Sequence, residues 1–378
     1  MSYKIAMESG LQIDPIYTYF KKAFDRVNHI ILINILNYFG IHGPLLKRFE
    51  SYLVDRQQIV KINNYFSRPF SPPSGVPQGS HLGPFVFLIF RNHILLNVKN
   101  SKALMFADDL KLYYTIHNLN DCLRLQDDLD SILNWCNIND MQLNINKCKS
   151  ITFTRKRTKI NFNYNLNNIN SNSVSEIRDL GVLFDAKLTF KSHINNVTNR
   201  AFKLCGFIRR QSSEFINNTA MTILYKTLIV SILNYASPIW NPSYSTYIER
   251  LERVQKKIVK FQLFKLRIDY KTIPYNTRLQ ILGYENLEKL RTNSDAVLAF
   301  KILRNIYNTP DILSMFNFRV PAFPFRNNEL LILNMYRNVY GQQSLFNRMQ
   351  IQLNKLHDGV DNLFNISLKN VKKILRVT

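Results

Sequence analysis

Apolar residues recur along this chain with two different periods, and the change of period marks its organisation. Ile16 to Phe20 is short and strand-like, whereas Ile30, Ile31, Ile33, Leu36 and Phe39 return at helical spacing until Gly40 ends the run. A second helix is predicted over 45–53, followed by a strand-like QQIVKI at 58–63. Gly and Pro mark SGVPQGSHLGP (74–84) as a loop, and the PFVFLIFRNHILLNV stretch that follows reads as a buried helix. LMFADDLKLYY (104–114) alternates on both sides of a carboxylate pair, which predicts a β-hairpin with Asp108 and Asp109 at its tip. Cys122, Leu125, Leu129, Ile132, Leu133 and Cys136 then fall on one helical face. KSITFTRKR (149–157) predicts a strand running into a basic turn, 161–172 a loop or hairpin edge, and LGVLF (180–184) another strand. Beyond Ile194 nearly everything reads as helix, with breaks near Pro238–Pro242, Asn308–Pro310 and Pro321–Pro324. The order is mixed α/β to about residue 190 and helical thereafter.

Composition adds a partner class. The 378 residues include 50 Lys and Arg against 26 Asp and Glu, a formal charge of +24, while 46% hydrophobic content excludes disorder as the overall description. Such a charge points to a polyanion, either nucleic acid or an anionic membrane surface. The longest apolar run, Leu82 to Phe90, is broken by Arg91, far short of the roughly 20 residues a spanning helix needs, so no membrane partner is expected. The first residues, MSYKIAMESGLQ, lack the apolar core of a signal peptide. Cys122, Cys136, Cys148 and Cys205 are widely spaced, which suits reduced intracellular thiols and neither a disulfide framework nor a zinc knuckle. Nucleus and cytoplasm are not distinguished. The excess charge is uneven: residues 1–150 carry +4, 151–270 carry +12 and 271–378 carry +8.

An Ala-Asp-Asp triplet alone is weak evidence of chemistry, since most are solvated turns. A hairpin tip flanked by apolar strands is different, because it fixes two carboxylates above a sheet, where hard divalent cations find oxygen ligands. Paired acids in a basic chain also need a charge partner, and a metal supplies one.

Taken in order, YTYFKKAFDRVNH (17–29), SGVPQGSHLGP, FADD (106–109), LNINKCKS (143–150) and DLGVLFDAKLTF (179–190) resemble the reverse transcriptases of non-LTR, LINE-type retrotransposons of the jockey kind. LNYASPIWNPSY (233–244) and LERVQKKIVKF (251–261) continue the resemblance. It implies an α+β fold: a polymerase palm of antiparallel sheet backed by helices over 1–175, primer-grip strands and a helical thumb over 176–265, and a helical C-terminal segment over 266–378. It implies an RNA-directed DNA polymerase that extends a DNA primer on an RNA template from deoxynucleoside triphosphates, using two Mg²⁺ (or Mn²⁺) ions. On this resemblance Asp108 and Asp109 are metal ligands and catalytic, and Phe24 lies under the incoming sugar. Gly75, Gln78 and Gly79 line the nucleotide and template pocket, Lys147 sits by the triphosphate with Lys149 as competitor, and Leu180, Gly181 and Val182 grip the primer. Read without the family, each has a plainer role: Phe24 as core, Lys147 as a solvated turn lysine, Gly181 as a bulge. Trp240 and Tyr235 are expected to pack rather than to contact a ligand.

Two departures alter the expectation. Where the family reads T-D-F-S-K-A-F-D, this chain has Thr18-Tyr19-Phe20-Lys21-Lys22-Ala23-Phe24-Asp25, so Tyr19 replaces the third metal-binding carboxylate. A neutral phenol, pKa about 10, is a poor ligand for Mg²⁺. Asp25 lies past the strand's end, and Asp14 is an odd number of residues away, facing the opposite side. The second departure is that only eighteen residues precede Tyr19, which suggests an N-terminal truncation with most of the fingers missing. Arg91 and His93 also stand in LIFRNHI, where the family tends to L-I-F-I-N-D-I. The resulting expectation is a reverse-transcriptase fragment impaired in catalysis. Two alternatives stand beside it: an active polymerase with fingers from an upstream segment, and a non-catalytic, basic nucleic-acid-binding module.

Overall fold

The computed structural model describes residues 7, 10–54, 56–212, 214, 218–320, 329–336, 339–358 and 363–377. The chain divides into two units, one of residues 9–177 and one of residues 1–8 with 178–378. The fold is α+β: a mainly antiparallel sheet with helices, followed by helices.

In the first unit β1 (Gln12–Tyr19) is almost wholly buried. It extends further back than Ile16, through Pro15, because a proline loses only its donor: the Pro15 carbonyl still accepts from Ile151 N at 3.1 Å. Asn28 caps α1 (His29–Tyr38) by accepting from the amides of Ile30 and Ile31, and a proline in the first turn suits α2 (Gly43–Leu53). A small exposed hairpin, β2 (Lys61–Ile62) and β3 (Tyr65–Phe66), follows. Helix α3 (Leu82–Asn92) begins inside the Gly/Pro-rich motif. The stretch predicted as one buried helix is instead α3 and a 3-10 turn at His93–Asn97, with Phe85, Leu88 and Leu96 exposed.

Strands β4 (Lys102–Phe106) and β5 (Asp109–Ile116) form the predicted hairpin. Helix α4 (Leu119–Ile138) starts on a capping box in which Asn118 and Asp121 satisfy each other's backbone amides. Its apolar face lies against β5, where Leu125, Leu129 and Ile132 join Ile16, Leu110 and Leu112 in one core. The strand predicted at 149–157 shortens to β6 (Lys149–Ser150), followed by β7 (Asn165–Leu166), β8 (Ile169–Asn170) and β9 (Asn172–Ser173). The five-stranded sheet runs β4-β5-β1-β6-β9, antiparallel except for the short β6–β9 pairing at its edge.

Strands β10 (Glu176–Asp179) and β11 (Val182–Asp185) pair across a two-residue turn. Leu180 and Gly181, predicted inside a strand, are that turn, with φ of 43° and 84°. In the second unit α5 (Lys191–Gln211) packs on α6 (Ser245–Lys265), and α7 (Leu287–Leu303) on α8 (Leu345–Asp358). Ala299, Phe300, Leu303, Phe346, Met349 and Leu353 belong to one hydrophobic core of that unit. Pro238 lies inside a short helix, Ser237–Trp240, because a proline is tolerated in a first turn. The break expected at Pro321–Pro324 falls outside the described residues.

Candidate active site

The pairing register decides what surrounds the two carboxylates. Asp108 occupies the turn between β4 and β5, next to Ala107 at φ 48°, and is exposed; Asp109, half-buried, opens β5 opposite Phe106. On its other side Asp109 is directly opposite Tyr19, the last residue of β1. Directly opposed residues of an antiparallel pair project on the same face with Cβ atoms about 5 Å apart. Tyr19 therefore stands beside Asp109. Tyr19 and Asp109 sit at the ends of two neighbouring interior strands in the order β4-β5-β1-β6.

Asp14 is on the opposite face of β1, and it is buried where Tyr164 Oη donates to it at 2.9 Å and Gln12 Nε2 at 3.1 Å. Burial raises its pKa against the pull of these hydrogen bonds. Asp14 is thus a core carboxyl and no substitute for the one replaced by Tyr19.

Arg91, from α3, changes the electrostatics more than its sequence position suggested. Its side chain is 1% exposed, Nη2 donates to the Asp109 carbonyl, and Nε and Nη1 have no hydrogen-bond partner. Burial lowers its pKa to about 10 while Asp108 and Asp109 pull it up, so it stays charged at neutral pH. The sequence signalled this cation as the residue interrupting an apolar run and as a departure from the family's L-I-F-I-N-D-I. His93, two positions on, accepts from Trp135 Nε1 at 2.8 Å, and burial lowers its pKa.

The glycine-containing loop docks on the turn that follows β1. Gly75 N donates to Val27 O at 2.8 Å and Val76 N to Phe24 O at 2.9 Å. Ser74 Oγ donates to Asp25 O, and Gln78 Nε2 to Asp25 Oδ1, both at 2.8 Å. His29 Nε2 and Arg56 Nη2 both reach the Gly75 carbonyl at 2.8 Å, two anchors the sequence did not reveal. Phe24 is half-buried and stacks on Phe87, ring centroids 4.1 Å apart, so one of its faces is already covered. Gly79, at φ +81°, has open space where a Cβ would go.

Lys147 is exposed on the turn after Leu143. That turn is fastened to the end of β1, with Asn144 N donating to Tyr19 O at 2.7 Å and Lys21 N to Gln142 O at 2.7 Å. Lys149 is in β6, paired with Tyr17, whose ring Lys111 Nζ covers at 4.8 Å. Tyr19, Asp108, Asp109 and the Lys147 turn are therefore brought together, with Phe24, Gly75, Gln78 and Gly79 in the adjoining loop. Leu180, Gly181 and Val182 lie in the other β-pair: Tyr235 Oη donates to Leu180 O at 2.9 Å, and its ring is 3.2 Å from where a Cβ on Gly181 would stand. Tyr235 thus packs on the turn, although it is largely exposed, and Trp240 is buried.

A glycine-containing loop, two carboxylates at a strand junction and a basic turn follow one another in the first unit. Residues 18–199 match the family described as reverse transcriptase, RNA-dependent DNA polymerase. Residues 18–199 are a reverse transcriptase domain. The chain is 23% identical over 299 residues to the RNA-directed DNA polymerase from mobile element jockey of Drosophila melanogaster, covering 73% of this chain and 32% of that protein. It is 27% identical over 229 residues to the "Probable RNA-directed DNA polymerase from transposon BS" of the same organism, covering 58% of this chain and 25% of that protein. The chain spans about a third or less of the length of these relatives. Among solved structures it is similar to apo telomerase from Candida tropicalis, 13% identical with a TM-score of 0.42, covering 77% of this chain and 49% of that one.

The residues around Asp109 do not fit a two-ion carboxylate cage. A phenol occupies the opposing position, and a buried guanidinium already contacts the carbonyl of Asp109. Among the described residues, no three His, Cys, Asp or Glu side chains group as a metal site, and no helix is long and apolar enough to cross a membrane.

Proposed function

We propose that this reverse transcriptase domain binds an RNA template paired with a DNA primer and is impaired in extending it. The reading takes 1–175 as palm, 176–265 as primer grip and thumb, and 266–378 as a helical C-terminal segment. Phe24, Gly75, Gln78, Gly79 and Lys147 would then face template and deoxynucleoside triphosphate, and Leu180, Gly181 and Val182 the primer. Mg²⁺ or Mn²⁺ is the ion the family reading implies at Asp108 and Asp109. The single observation that carries the impairment is the Tyr19–Asp109 register pair. A phenol there removes one of the negative charges with which a polymerase holds its ions. The test is primer extension on poly(rA)/oligo(dT) by the unaltered chain and by Tyr19→Asp. Little or no incorporation by the unaltered chain supports the reading, and robust incorporation refutes it.

A binding role without catalysis has its own support. Arg253, Lys257, Lys260 and Phe264 are exposed on α6 at spacings of four, three and four residues, which puts them on one helical face. Cations interleaved with an aromatic suit a phosphate backbone and its bases. Under this reading, hybrid binding weakens steeply with salt and survives Asp108→Ala with Asp109→Ala.

A further inference from the structure

We propose that Arg91 is a resident counter-cation of the Asp108–Asp109 pair, a fixed charge standing in for part of the ionic charge such a pair would otherwise recruit. The inference rests on reading that pair as the domain's metal-binding carboxylates, and it adds a cause separate from Tyr19.

The geometry supports it in three ways. Arg91 is sealed from solvent at 1% exposure and anchored through Nη2 to the backbone carbonyl of Asp109 itself, so it cannot swing away as a surface arginine would. Nε and Nη1 make no hydrogen bond. Its charge is therefore offset chiefly by the field of nearby carboxylates, and Asp108 and Asp109 are the two that act on it. A guanidinium does not give up its proton in a protein, so the charge is permanent across the working pH range. Two carboxylates and one guanidinium leave a net charge of −1 at the hairpin tip. Three carboxylates without the arginine would carry −3. A divalent ion entering here meets a weaker attraction and a buried like charge that salt screens poorly. Tyr19 and Arg91 thus weaken the site by different routes, one by removing a ligand and the other by occupying the field.

Mn²⁺ titration of the full chain, followed by loss of the free-ion electron paramagnetic resonance signal, separates these routes without relying on activity. Arg91→Met is expected to tighten Mn²⁺ binding about tenfold or more. Arg91→Lys should leave it unchanged, and Asp108→Asn with Asp109→Asn should abolish the gain. Tyr19→Asp with Arg91→Met should bind tightest. The proposal is overturned if folded Arg91→Met binds no tighter than the unaltered chain while Tyr19→Asp does; the metal-pair reading then stands. If the Tyr19→Asp, Arg91→Met double variant folds and shows no binding dependent on Asp108 and Asp109, both readings fall. A measurement without any change at Arg91 guards against misfolding. Saturable Mn²⁺ binding by the unaltered chain, as tight as by Tyr19→Asp and lost in the exposed Asp108→Asn variant, also overturns the proposal.

Discussion

Gly75→Ala tests whether the glycine loop is held by a close backbone approach or only by its conformation. Gly75 has φ +88°, and a Cβ built on it falls 2.9 Å from both Asp25 Cα and Asp25 O and 3.0 Å from Asp25 C. Those are backbone atoms that Ser74, Gln78 and the Phe24–Val76 hydrogen bond hold in place, so the turn cannot yield as a flexible side chain would. The left-handed conformation costs an alanine about 1 kcal/mol. Forcing a methyl into filled space adds about 1–3 kcal/mol. Gly79→Ala is the internal control: φ is +81°, with nothing within 4 Å of the added Cβ, so only the conformational cost of about 1 kcal/mol applies. Urea unfolding followed by Trp135 fluorescence in a Trp240→Phe background reports the unit that contains this loop, since Trp135 shares a core with Val76. Gly75→Ala should lose about 2–4 kcal/mol and exceed Gly79→Ala by at least about 1 kcal/mol. Equal losses for the two variants would refute the close-approach argument.

Two further predictions concern the helical unit, with Trp240 as reporter. His193 accepts from Leu183 N at 3.2 Å, and its ring lies 5.0 Å from that of Trp240. Burial, helped by Arg178 and Arg200, pushes its pKa down to about 4. Its contribution is therefore fully present above the unfolded value of about 6.5 and is lost as pH falls through 4, a change of about 3 kcal/mol. His193→Gln should flatten stability between pH 7 and 4, and superimposable pH profiles would refute this. Arg348 Nε donates to the buried carboxylate of Asp295 at 2.8 Å, and Nη2 to Pro238 O at 2.7 Å. Arg348→Met should cost about 3–5 kcal/mol in urea unfolding, with partial recovery on adding Asp295→Asn. A loss under about 1 kcal/mol would mean the pair is solvated.

The hairpin, α1, α4 and the helical remainder were legible because each is written in local periodicity and punctuation: alternation about Asp108 and Asp109, a Gly40 stop, a one-sided apolar stripe from Cys122 to Cys136. Strand ends were less so. The strand read from Ile16 in fact begins at Gln12, since the lost donor is all that Pro15 removes there. The strand expected over LGVLF is present from Val182 onward, whereas consecutive positive φ angles make Leu180 and Gly181 the turn before it. At the site, the replacement of a carboxylate by Tyr19 was visible in sequence because family position and strand parity both locate it. Its pairing with Asp109 required the long-range register. Arg91 was visible as a break in an apolar run and as a departure from the family motif, but nothing local shows that a helical residue eighteen positions earlier reaches the Asp109 carbonyl. The His29 and Arg56 contacts with Gly75 depend likewise on tertiary packing.

Under the proposed reading, the reverse transcriptase domain holds its hybrid without extending it. The most direct measurement is incorporation of deoxythymidine by the purified full chain on poly(rA)/oligo(dT), with Mg²⁺ and with Mn²⁺, at a protein concentration where hybrid binding is saturated. Bound primer that is not extended with either ion is the expected result. Processive extension by the unaltered chain with either ion would contradict it.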